Sequence, residues 1–457
     1  LNGTASHTAD SFGQLMYDSG SGNIVDATDG SVAFYAYGAT FTVGDRITCE
    51  FDLDGNSIEF FKNGASQGTY TPDGDISNGD IYFAVCGDRT SVISVGYDWT
   101  FNADNFTDTP TTGFKALSTA NLPAPDIRNP SLYFDIALYT GTSAVQSITD
   151  VNFSPEMLWI KNRSAVSNHI INDVVRGVTK YVFPSLTNAE TTFVDVVTSF
   201  DSDGFTLGAD TATTNGVNGA ANTYVAWMWK ANGTGVANTD GTISSTVSVN
   251  QTAGFSVVTA TAGASGVYSY GHGLGVKPSM FIVKNLDTAQ NWQIWNKNLT
   301  SETTSYLQFT TSAQLTFADM WGAAPTSTTF SMHTAGPVVA GDNFVAYCFA
   351  EVEGFSKFGS YTGNGSTDGP FVWCGFRPAF VIIKRTDGGT EDWQVQDSTR
   401  NSYNVIDDAI YANSSAAEVT NNSAFYRDFL SNGFKIRTSH AGCNASGGTY
   451  IFAAFAE

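Results

Sequence analysis

Three stretches decide the fold: Pro155-Glu-Met-Leu-Trp-Ile-Lys161, Pro278-Ser-Met-Phe-Ile-Val-Lys284 and Pro378-Ala-Phe-Val-Ile-Ile-Lys384. Each is a proline, one spacer, four apolar residues and a lysine. An apolar run this short, opened by a proline, reads as a buried strand and not as a helix. A second trio lies downstream: Tyr224-Val-Ala-Trp-Met-Trp229, Phe344-Val-Ala-Tyr-Cys-Phe349 and Tyr450-Ile-Phe-Ala-Ala-Phe455. It begins 69, 66 and 72 residues after the respective prolines. A period of two puts Val225, Trp227 and Trp229 on one face, matching Val345, Tyr347 and Phe349, and Ile451, Ala453 and Phe455. The opposite face is apolar too, so these strands are expected inside a sandwich or beneath a partner subunit.

Between the two trios stand Asp203-Gly204-Phe205, Thr329-Phe330 and Asn432-Gly433-Phe434, each a turn feeding a strand. The repeated unit is therefore about 100 residues of antiparallel β-structure, used three times. Its expected boundaries are 126–235, 236–355 and 356–457, with Gly- and Thr-rich stretches at 231–250 and 353–370 as connectors. Residues 1–125 do not fit the repeat and form a separate module. The fold class is all-β: tandem antiparallel β-sandwich modules of jelly-roll or lectin-like kind.

Composition agrees. Only 14% of the 457 residues are charged, 42% are hydrophobic, and 45 are glycine. Thr and aromatics favour strands while Gly, Asn and Asp favour turns, and helix formers are scarce. The net charge of −22 repels phosphate backbones and argues against nucleic-acid binding. It also keeps a Thr-rich β-protein soluble. Cys49, Cys86, Cys348, Cys374 and Cys443 are odd in number, widely spaced and without a CxxC, so they read as small buried hydrophobes. No apolar run of about 18 residues is present, so membrane insertion is not expected. The chain begins at Leu1, not Met, and a preceding segment is expected.

The core of the first module runs Gly44-Asp45-Arg46-Ile47-Thr-Cys49-Glu-Phe51-Asp52-Leu53-Asp54-Gly55-Asn56-Ser-Ile58-Glu-Phe60-Phe61-Lys62-Asn63-Gly64. Alternation gives a strand through Ile47, Cys49, Phe51 and Leu53, a turn at 54–56, a strand through Ile58, Phe60 and Phe61, and a turn at Asn63-Gly64. This run resembles a SPRY domain, a concanavalin-like β-sandwich, in its Gly-Asp pair, its Asp-Leu-Asp hairpin and its Phe-Phe-Lys-Asn-Gly strand-turn. Ile81-Tyr-Phe-Ala-Val-Cys86 and Val95-Gly-Tyr-Asp-Trp99-Thr-Phe101 match later strands of that family. The resemblance covers roughly residues 20–110 and implies that the family's first strands are cut away before Leu1. Gly113-Phe-Lys-Ala-Leu117-Ser-Thr-Ala-Asn121-Leu-Pro123 resembles the segment that closes such modules in virion proteins of tailed bacteriophages. The threefold unit, with Trp393-Gln-Val395 as a distal feature, resembles repeats of phage tail-fibre and virion-structural proteins. In those proteins a homotrimer that contacts the host surface is common.

Signals for catalysis are thin. His7, His169, His272, His333 and His440 lie far apart, and no HExxH, GxSxG or P-loop pattern occurs. Gly271-His272-Gly273 reads as a Gly-rich turn. The carboxylate pairs Asp52/Asp54, Asp201/Asp203 and Asp407/Asp408 each sit at a turn, where Asp bonds its own backbone. Asp52-Leu-Asp54-Gly-Asn56 has its glycine misplaced for a calcium loop. Lys161, Lys284 and Lys384 suggest a repeated ligand contact. The preferred reading is structural, with the stem covering apolar surface and the charge reaching water. Trp159, Trp227 and Trp229 are expected in the core, Trp292, Trp295 and Trp321 are freer to meet a ligand such as a sugar, and Trp99 ends the first module.

No catalytic, cofactor-binding or metal-binding residue is assigned, no cofactor is expected, and the protein reads as a non-enzyme. The resemblance implies a phage virion appendage, made in the host bacterial cytoplasm and carried on the particle. It would attach to the host by non-covalent binding of a surface glycan or protein. Its expected partners are other virion proteins, further copies of itself as a homotrimer, and that receptor, with no nucleic acid and no membrane insertion. Two other readings stand beside it: a capsid-decorating or tail-stabilising structural protein, and a polysaccharide depolymerase.

Overall fold

The computed structural model describes residues 15–29, 31–74, 76, 98, 100–101, 103–117, 121, 125–211 and 216–457. The chain divides into two compact units, 1–123 and 124–457.

In the first unit the two hairpins fall where the alternation places them. Ile47–Asp52 pairs with Ser57–Lys62, which pairs with Ala65–Tyr70. Asn63 and Gly64, at φ 50° and 82°, supply the double left-handed turn that suits the twist of a tight hairpin. A second sheet joins Leu15–Tyr17, Asn23–Asp26 and Ala33–Ala36, and Tyr17, Ile24, Ile58 and Phe60 form a small core. Cys49 is exposed, contrary to its reading as a buried hydrophobe, although its cross-strand partner Phe60 belongs to this core. Cys348, Cys374 and Cys443 are buried. The expected strand Ile81–Cys86 and most of the 95–101 strand lie outside the described residues, as do Trp99 and His7.

In the second unit each sequence copy builds its own antiparallel sandwich. The first copy has a sheet in the order Ile170–Asp173, Met157–Asn162, Thr223–Trp229, Phe134–Thr140. Its cover is a smaller sheet of Val197–Asp201, Gly204–Leu207 and Gln146–Ile148. The third copy repeats the plan with Gln394–Asp397, Pro378–Arg385, Thr449–Ala456 and Ser356–Thr362, extended by Ile410–Tyr411. The second copy places Gln293–Asn296, Met280–Asn285, Asn343–Phe349 and Phe255–Thr261 in the same order within an eight-stranded sheet. In every copy the Pro-to-Lys strand pairs with the strand of the second trio. At the turn between the trios, Gly204 is required because a Cβ there would stand 1.9 Å from the Ile148 carbonyl oxygen.

The supposed connectors are structure. Val236–Asn238 and Ser245–Asn250 extend the second copy's sheet, and Ser356–Thr362 is the first strand of the third copy. In these strands the alternating apolar residues Val247 and Phe358 are buried, and this short period is masked in the sequence by the Ser and Thr between them.

One face of each large sheet packs on its own cover sheet, and the other face points to a core common to all three copies. Trp229, Phe349 and Phe455 occupy the same position in the three copies and meet one another there. Their ring centroids are 6.2, 5.6 and 6.0 Å apart. This mutual contact of equivalent residues defines a threefold-like axis within one chain. The second apolar face, which suggested a partner subunit, is thus covered by the other two copies. Each of the larger aromatics buried here contributes about 2–3 kcal/mol of hydrophobic transfer free energy. Among the described residues no helix is long and apolar enough to cross a membrane.

Candidate functional site

The three copies are joined by three seams, and each seam uses the same positions in the same rotational sense. Lys161 of the first copy donates to the Ser415 carbonyl of the third at 3.3 Å. Lys284 of the second copy donates to the Thr187 carbonyl of the first at 2.9 Å. Lys384 of the third copy donates to the Thr310 and Thr311 carbonyls of the second at 3.3 and 3.1 Å. A carbonyl of its own copy completes each cage, from Asn162, Gln290 or Glu391. All three lysines are fully buried, so the expected escape of their charge to water is corrected. The stem does cover apolar surface, but the ammonium ends on backbone oxygens of the neighbouring copy. Burial pushes each of these lysines down to about 8.

The aromatic position after the lysine repeats this logic. Trp292 Nε1 donates to the Phe183 carbonyl and Trp393 Nε1 to the Gln308 carbonyl, at 2.8 and 2.7 Å. His169 takes the same place in the first copy. Its Nε2 lies 2.9 Å from the Tyr411 carbonyl, and its Nδ1 accepts from Trp159 Nε1. Those two contacts require a neutral ring protonated on Nε2. Burial holds this imidazole well below the usual range, and the Lys161 charge pushes the same way. Trp292, Trp295 and Trp321, expected to be the freer tryptophans, are 1%, 0% and 0% exposed and belong to the packing.

Two seams add a buried charged set. Asp173 accepts from Tyr347 Oη at 2.8 Å and from Arg176 Nε at 2.7 Å, and Arg176 reaches Glu190 at 3.1 Å. Asp397 accepts from Trp227 Nε1 at 3.0 Å and from Arg400 Nε at 2.6 Å, and Arg400 reaches Glu418 at 2.7 Å. The equivalent positions at the remaining seam are Asn296, Leu299, Gln314 and Ala453. Gln314 N still donates to the Thr386 carbonyl, as Glu190 N does to Leu286 and Glu418 N to Arg163. Sequence reasoning missed this set. Asp173-Val-Val-Arg176 and Asp397-Ser-Thr-Arg400 carry the signal, as an Asp-x-x-Arg 18 and 19 residues after Pro155 and Pro378.

The loops that receive the lysines converge at one end of the axis. They enclose a cavity of about 280 Å³. Ser185, Thr310 and Asn413, which occupy equivalent positions in the three copies, each contribute to its wall, together with Thr187, Asn291 and Thr311. Trp292, Phe309 and Leu186 supply apolar wall. No charged side chain lines it. The hydroxyls of Thr187 and Thr311 and the amide of Asn291 make no hydrogen bond among the described residues, and Thr187 and Thr311 are exposed at the rim. A second void of about 30 Å³ lies deeper, among Trp229, Tyr347, Phe380 and Phe455, and is walled by apolar groups alone, a setting that stays dry.

Of the remaining candidates, Asp52 accepts from Gly55 N within its turn, as expected, whereas Asp201 accepts from Thr206 Oγ1 across its hairpin and Asp408 from Asn421 N, 13 residues on, so these two tie together separate segments. His272 is buried in its glycine turn, where its Nδ1 accepts from Leu274 N, and His440 caps a short helix by accepting from Gly442 N. The described residues bring no three His, Cys, Asp or Glu side chains together around a metal position.

These features define an all-β unit of three fused sandwiches closed around a shared core, with a neutral polar pocket on the axis. The chain belongs to the family described as a domain of unknown function, DUF7483, whose model matches residues 129–457. That span contains all three copies, so the family's unit is the closed set and not the single repeat. No curated protein matches the chain. No solved structure matches it.

Proposed function

We propose that the protein is a non-enzymatic appendage of a bacteriophage particle that attaches to the host surface by binding a glycan or protein receptor. What supports the binding half of this reading is the axial pocket. Three loops from three copies meet there around polar groups without protein partners among the described residues, while Lys161, Lys284 and Lys384 go to the seams and Trp159, Trp227, Trp229, Trp292, Trp295 and Trp321 to the packing. The phage context and the SPRY-like character of the first unit rest on the sequence resemblance. Other virion proteins remain the proposed partners on the particle. A homotrimer would have to use surface other than the apolar face that the chain covers for itself.

The test is binding of the labelled full chain to intact host and non-host cells, with its oligomeric state measured in parallel. Saturable, host-selective binding supports attachment. A protein that ignores all cells and associates only with virus particles overturns it in favour of a structural role.

A further inference from the structure

We infer that the axial pocket of residues 124–457 binds one ring of a neutral sugar, a terminal hexose or N-acetylhexosamine; this rests on the attachment reading and names its ligand. The cavity, at about 280 Å³, is below the usual size of drug-like sites and suits a single ring, not an oligosaccharide or a length of peptide. Its lining offers side-chain hydroxyls and amides from Ser185, Thr187, Asn291, Thr310, Thr311 and Asn413, with Trp292 and Phe309 buried behind them. That lining matches the belt of hydroxyls around a small neutral ring.

Charge narrows the choice. An anion here would meet no cationic side chain in the wall to replace the water it gives up. The nearest ammoniums, those of Lys284 and Lys384, are turned onto the backbone carbonyls of the loops that form the wall. A divalent cation would want carboxylates, and none lines the pocket. A wholly apolar ligand would leave the Thr187, Thr311 and Asn291 groups without partners. The three equivalent wall positions carry Ser185, Thr310 and Asn413, so the site itself is not threefold symmetric. A sugar ring has no threefold axis either, and a fused chain can shape each wall separately.

The experiment uses the full chain and ligand-observed saturation-transfer NMR with methyl glycosides of glucose, galactose, mannose and N-acetylglucosamine, and with glucuronate and sialate as charged competitors. Host-cell binding is run alongside, and all of it is repeated on Thr311→Trp, a rim substitution that should block the mouth. Thermal melting of the variant checks that it folds, and Thr187→Trp replaces it if it does not. The expected result is transfer to at least one neutral glycoside with a dissociation constant on the order of 1–10 mM, as for a ligand this small. The rim variant should weaken it at least tenfold. Binding of only the charged sugars overturns the neutral assignment, and binding unchanged in the folded rim variant overturns the location. No sugar bound while host cells are still recognised overturns the pocket inference and leaves attachment standing through another surface. Sugar bound while cells are ignored supports the pocket and sinks attachment.

Discussion

The seam between the second and third copies can be set against the other two. All three share a buried lysine caged by carbonyls and a backbone bond from the 190, 314 or 418 position. Only two add the Asp–Arg–Glu set with its aromatic donor, and at the third seam the same places hold Asn296, Leu299, Gln314 and Ala453. The copies therefore close around the axis whether or not the ion set is present. The apolar core and the lysine cages are the common requirement, and the ions are an addition. This fits the general energetics, in which a buried ion set roughly breaks even against a neutral replacement but is expensive to break in part.

Three experiments bear on that comparison. The largest effect should come from Asp397→Ala, which leaves Arg400 buried with one of its two carboxylate partners and should cost about 3–5 kcal/mol in chemical denaturation. Converting the whole set to its neutral counterpart, Asp397→Asn with Arg400→Leu and Glu418→Gln, should cost less than the single change. A triple variant less stable than Asp397→Ala would show that the ions are required at this seam and that the third seam is held by something else.

A smaller effect concerns pH. His169 is neutral and its folded pKa lies below the unfolded value of 6.5, so the unfolded chain binds the extra proton first. Stability should be complete above pH 6.5 and fall as the pH drops below it, by up to about 1.4 kcal/mol per pH unit for this one proton. His272, pushed down by burial to about 4, adds a slope of the same sign between pH 6.5 and 4. Replacing His169 by Gln should remove its share. An unchanged acid limb in that variant would place the titration elsewhere.

The smallest effect tests what the seams share. Each lysine falls from 10.5 to about 8 on folding, so the folded protein releases these protons first and stability rises with pH between 8 and 10.5. Relative to Lys161→Met, Lys284→Met or Lys384→Met, the wild type should gain about 1 kcal/mol from pH 8 to 9. The gain should be similar at all three seams. A response confined to the two charged seams would make the ions, not the cages, the common element.

Much of the fold was legible because it is local. The Pro-to-Lys run, the period of two in Val225, Trp227 and Trp229, and the Asn63-Gly64 turn each act over a few residues, and each forms the element its pattern implies. What covers the second apolar face was not legible. Alternation says that a face is buried but not by what, and nothing near Trp229 in sequence points to Phe455. The lysines were misread for the same reason, since the Thr187 or Ser415 carbonyl that receives the charge belongs to another copy. The pocket was invisible too. Ser185, Thr310 and Asn413 are ordinary loop residues until closure brings them to one axis, and the conspicuous tryptophans drew attention that the site does not reward.

Closure also sets an order of events during synthesis. The first copy is made early, yet Lys161 waits for Ser415, 254 residues further along the chain. At roughly 5–20 residues per second, the ribosome needs on the order of 10–50 s to supply that distance. Until the third copy is made, the Trp159, Trp227 and Trp229 face lacks Phe380 and Phe455, which complete its cover. A contact this distant in sequence is slow to form even in the finished chain. The nascent first copy is therefore the stage at which the polypeptide is most open to capture by a chaperone or to sticking to its neighbours on a polysome, and the last seam to form is the one between the oldest and the newest parts of the unit.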